Sequence, residues 1–131
     1  MPLTKTLSAI AGLLVVLGMA CKADNPPHID DLSLAPQTGA PGTSVRIRIV
    51  ATDSDGTALT AWVMKRKDTG TPDLGRVDLP AVTDTTGVYA GTWSADTSGL
   101  NGHPDGVWFE GHVSDGKEER HGFLTHFAFT Y

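Results

Sequence analysis

From Ile29 onward the apolar residues of this chain fall on alternate positions, and no stretch repeats with a helical period over three turns. Segment 44–52 is the clearest case. Val45, Ile47, Ile49 and Ala51 share one face of an extended chain, and Arg46 and Arg48 take the other. Asp53-Ser54-Asp55-Gly56 closes it as a turn, because aspartates bond their own backbone and glycine accepts positive φ. The same reasoning predicts strands over 29–34, 59–67 (carrying Trp62) and 87–94. It also predicts a Pro-interrupted edge strand over 76–82. Turn formers fill 36–42, 67–75 and 95–106. The last two strands form a hairpin. Val107, Phe109 and Val113 point inward, and Phe123, Phe127, Phe129 and Tyr131 do the same on the return. Asp115-Gly116 and the charged run 117–120 make the connection.

Seven strands in about 100 residues, with turns every 8–12, predict an all-β, antiparallel sandwich of the immunoglobulin-like pattern. Three runs carry a resemblance. Segment 45–56, ending Thr-Asp-Ser-Asp-Gly, resembles strand B of bacterial Ig-like domains of the fibronectin III, PKD and cadherin-like kind. Segment 87–93 (GVYAGTW) resembles their strand E, and 107–116, ending Val-Ser-Asp-Gly, their strand F. The resemblance spans 29–131 and implies a core built around Trp62 and Trp93. Adhesion, linkage, chaperone and binding roles all occur on this fold, so it names no activity.

The N-terminus reads as a secretory signal: Lys5, an uncharged apolar stretch over 7–17, then small residues at Gly18 and Ala20. That stretch is shorter than the roughly 20 apolar residues a membrane span needs. Gly18-Met19-Ala20-Cys21 resembles the lipobox of bacterial lipoproteins, with Gly18 where leucine is usual and Leu17 one place earlier. The resemblance implies a cleaved signal peptide (1–20), a diacylglyceryl group on Cys21, and an anchor of more than one acyl chain, which holds a membrane stably. Residues 21–28, with Pro26-Pro27, form a short stiff tether, and 29–131 the domain. By analogy with proteobacterial lipoproteins, Lys22 in place of an aspartate favours the outer membrane of the cell envelope.

Cys21 is the single cysteine, so the domain has no internal disulfide and rests on its core. Without Lys5 the exported part keeps nine basic and fifteen acidic side chains, a formal charge of −6. That balance argues against nucleic acid and against long-range attraction to anionic lipid.

The chemistry-bearing residues are few. Asp53 and Asp55 could offer oxygens to calcium, but the twelfth position of an EF-hand loop would be Met64, and cadherin-like calcium sites lie between tandem domains. If the final hairpin pairs Val107 with Tyr131 and Phe109 with Phe129, His112 faces His126 with Glu110 alongside, a partial zinc or copper ligand set. A shift of two residues puts His126 opposite Glu110 instead. There is no GxSxG elbow and no HExxH, and the Ser, His and Asp spacings are those of any β-domain, so no enzyme activity is expected. Alternation puts the Trp108 ring outside the core. The expected contact surface is therefore Trp108, Glu110, His112 and His126, on a non-catalytic module that meets an envelope protein. The alternatives are a zinc- or copper-binding protein using His112 and His126, and a calcium-stabilised adhesion domain using Asp53 and Asp55. No small-molecule substrate is evident.

Overall fold

Along β3 (Ser44–Thr52) the alternation is strict: Val45, Ile47, Ile49 and Ala51 are buried, while Arg46 and Arg48 stand in solvent. In this computed structural model, which describes residues 25–56, 58–68 and 74–131, β3 is the centre of a three-stranded sheet. Antiparallel to it run β1 (His28–Ala35) and β6 (Val88–Ser94). The second sheet has five strands, in the order β2 (Thr38–Gly39), β8 (Glu119–Phe129), β7 (Gly106–Ser114), β4 (Thr60–Arg66), β5 (Arg76–Leu79). The two sheets pack face to face as an all-β sandwich, and no helix occurs among the described residues.

Apolar residues from both inner faces meet between the sheets. Trp93 of β6 sits edge-on to Phe109 of β7, with ring centroids 5.0 Å apart, and to Phe127 of β8 at 5.5 Å. Edge-to-face packing suits the aromatic quadrupole and adds to the area the rings bury. Gly111 lets the hairpin close on the opposite sheet, since a Cβ there would lie 3.3 Å from Ile49 Cδ1.

The expected strands are present, with three corrections. First, β2 is an added element: Thr38–Gly39 pairs in parallel with Ala128–Phe129, inside a stretch expected to be turn alone. Second, the edge strand stops at Leu79. Beyond Pro80 the chain crosses to the other sheet, where Ala81 bridges Tyr89. Third, the register of the last hairpin differs by four residues, pairing Val107 with Phe127 and Trp108 with His126. The cause is the turn. The Asp115 carboxylate accepts the main-chain N–H groups of Lys117 (2.8 Å) and Glu118 (2.7 Å), which tightens the connection to four residues. Those N–H groups also hold the Asp115 pKa below its usual range. Glu119 and Arg120 are thereby drawn into the ladder opposite Ser114 and Val113.

Two aromatic residues expected inside are consequently outside. Phe123 is the extra residue of a β-bulge, at φ 59°, and lies 49% exposed. Tyr131 falls beyond the strand, stacks on His103 at 4.4 Å and donates its hydroxyl to the Pro104 carbonyl at 2.8 Å. Trp62 is also displaced from its expected place. It is buried, but its neighbours Ala61 and Val63 hold the inner face, so its ring lies on the outer one.

Phe109 is fully buried at the centre of the core. Truncation to alanine should cost about 3–5 kcal/mol in urea unfolding, from lost transfer energy and the cavity left behind. Removing the ring of Tyr131 should cost less than about 1 kcal/mol.

Candidate functional site

The outward-facing residues of the five-stranded sheet come from four strands and line up in rows. Asp78, Trp62, His112 and His121 make one row across β5, β4, β7 and β8. Arg66, Trp108 and His126 make a second, with Met64, Glu110 and Leu124 between them. Cross-strand neighbours on one face of a sheet lie within side-chain reach, and here they touch.

Glu110 is the hub. It is only 9% exposed, and its Oε1 accepts from Arg66 Nη2 at 2.6 Å and from His112 Nε2 at 2.9 Å. Its Oε2 faces His121 Nδ1 at 3.4 Å. Burial pushes the carboxyl pKa up. The His112 hydrogen bond, then the Arg66 charge and hydrogen bond, outweigh that and hold it below the ordinary glutamate range. The other nitrogen of His112, Nδ1, lies 3.1 Å from Glu119 Oε2. A doubly protonated ring donates to both carboxylates at once, a neutral ring to one.

Aromatic stacking continues this network sideways. The His112 ring lies nearly parallel to Trp62 (14°, centroids 5.4 Å apart) and also stacks on His121. On β5 the Arg76 guanidinium sits 4.4 Å from the Trp62 centroid, a cation–π contact, while Asp78 Oδ1 receives Arg76 Nη2 at 2.6 Å. At the far end Trp108 is half-buried and tilted against His126 at 4.6 Å. The pair opens onto a cleft of about 450 Å³ with Leu100, Pro104 and Asp105.

All four residues of the expected contact surface, Trp108, Glu110, His112 and His126, share this face. The expected metal pair does not form: His112 faces His121, and His126 sits beside Trp108. Among the described residues, no group of three or more His, Cys, Asp or Glu is placed to hold a metal ion. Asp53 and Asp55 lie elsewhere, at the end where the chain enters the domain. Asp53 Oδ1 accepts the Asp55 N–H at 2.9 Å and so closes the turn. The Asp55 carboxylate accepts both the main-chain N–H (3.0 Å) and the side-chain amide (3.2 Å) of Asn25, latching the entering chain to the domain. Cys21 lies outside the described residues. Sequence reasoning passed over Trp62, Arg66, Arg76 and His121 as parts of this face.

Comparison of the chain with known protein families and with curated proteins returned no match.

A carboxyl whose folded pKa is depressed adds stability above its unfolded pKa, about 4.3, and loses it as pH falls through the folded value. The stability difference between wild type and Glu110→Gln should therefore be largest at neutral pH and shrink below about pH 4, as read by urea unfolding across pH. Trp62→Ala should cost about 3 kcal/mol, because both ring faces are covered, and Trp108→Ala nearer 1 kcal/mol.

Proposed function

We propose that this chain is a lipid-anchored, non-catalytic binding module of the bacterial cell envelope, and that the outer face of its five-stranded sheet meets a protein partner. The observation that carries this reading is the composition of that face. Exposed Arg76 and half-buried Trp108 and Met64 stand together on it, over the packed side chains of Trp62 and Arg66, and they are residue types that concentrate at protein interfaces. Stacking and ion pairing already hold Trp62, Trp108, Arg66 and Arg76 in place, so docking would cost little further rotamer freedom. Among the described residues, the opposite outer face of the sandwich, with Arg46 and Arg48 in solvent, has no comparable aromatic surface.

The finer fold assignment is an Ig-like sandwich. The strand order supports it: the first strand pairs in one sheet, and its continuation β2 runs parallel to the last strand in the other. Anchoring at Cys21 rests on the lipobox resemblance. It would set the Asn25 end of the domain against the membrane and the Trp108 cleft at the far end.

Crosslinking of cells that express a tagged copy, followed by purification and mass spectrometry, tests the reading. One envelope protein should be recovered reproducibly with the wild type. It should be lost with a Trp108→Ala, Arg76→Ala double variant that is still folded. Undiminished recovery by that variant would remove this face from the contact.

A further inference from the structure

We propose that the cleft between the entering chain and the β8 bulge seats an acyl chain of a phospholipid from the bilayer that anchors the protein, with Arg120 meeting the lipid phosphate. The inference rests on the anchoring reading above.

Phe123 borders this cleft from the bulge of β8. A bulky aromatic residue at φ 59° is strained, whereas glycine occupies that conformation freely. Burial does not offset the strain, since the ring is 49% exposed and the next residue, Leu124, is 43% exposed. With Tyr131, these are the exposed large hydrophobic side chains among the described residues. Strain kept at an exposed aromatic position points to a contact outside the chain.

The surroundings of Phe123 select the contact. Pro27, Ile29 and Phe123 wall a cleft of about 270 Å³, too small for a whole lipid and open enough for part of one acyl chain. His28, Arg120, His121 and Gly122 complete its lining, which includes no carboxylate. Arg120 makes no ion pair among the described residues. Apolar walls with the Arg120 guanidinium among the lining residues match an anionic amphiphile.

Chain length supplies the proximity. Cys21 stands four residues before Asn25, so it can lie no more than ~14 Å from the Asp55 latch. The domain is acidic overall, so long-range attraction does not bring it to the bilayer. A short tether makes attraction unnecessary by holding the cleft at high effective concentration beside lipid.

The test uses protein purified from membranes and placed in vesicles of phosphatidylethanolamine and phosphatidylglycerol. A photoreactive benzoylphenylalanine replaces either Phe123 or Trp108. Intact mass is read first: an unmodified Cys21 would sink the anchoring reading and this inference with it. With acylated Cys21, irradiation should give phospholipid adducts at least ten times more abundant at position 123 than at 108, and Arg120→Gln should lower the yield at 123. Acylated, vesicle-bound protein with equal or absent adducts at the two positions would overturn the inference while leaving the anchor intact. Phe123→Gly supplies an independent check. It relieves the backbone and should keep or raise Tm, whereas a loss of many degrees would mean the ring serves the fold.

Discussion

A carboxylate buried on the outer face of a sheet is costly unless its partners are held in place, and Glu110 is such a group. Arg66 from β4, His112 from its own strand and His121 from β8 all converge on it. Each partner is thereby oriented. His112 lies flat against Trp62, Trp62 presents its other face to Arg76, and Arg76 is fixed by Asp78. One ionised group thus organises an outer face that runs from β5 to β8. The sandwich core holds the two sheets together. The Glu110 network decides what the molecule shows to its surroundings.

The two ends of the domain divide differently. At one end Asn25 is latched to Asp55, and the adjoining cleft is lined by Phe123 and Arg120. At the other end Trp108 and His126 open onto a second, larger cleft. On the proposed anchoring at Cys21, the first cleft lies beside lipid and the second faces away from it. The sheet face between them carries the aromatic and cationic row.

Most of the sandwich was legible in alternation alone, because a strand with one buried face has no other way to place its apolar residues. Val45 to Ala51 shows this in its simplest form. The final hairpin was harder, and two local events explain why. The Asp115 turn is tighter than its charged sequence suggests, which moves the register. The Phe123 bulge then reverses parity, so Glu119 and His121 share a face with Leu124 and His126 although their numbers are odd and even. Counting by twos across a bulge places His112 opposite the wrong histidine. Trp62 was misplaced for another reason. Its burial comes from Arg76 and His112 on neighbouring strands, and a tryptophan hidden that way has the same sequence signature as one in a core. β2 is two residues long and has no periodicity to read.

The outer face depends on Glu110 and Arg66 acting as a coupled pair across β7 and β4. A double-mutant cycle with Glu110→Gln and Arg66→Met, measured by urea unfolding at pH 7, tests this most directly. A coupling energy of about 1.5 kcal/mol or more is the expected result, since both side chains are nearly buried and their 2.6 Å charged hydrogen bond is lost when either is replaced. A coupling near zero would mean the network does not hold the outer face, and the case for a preorganised contact surface would fall with it.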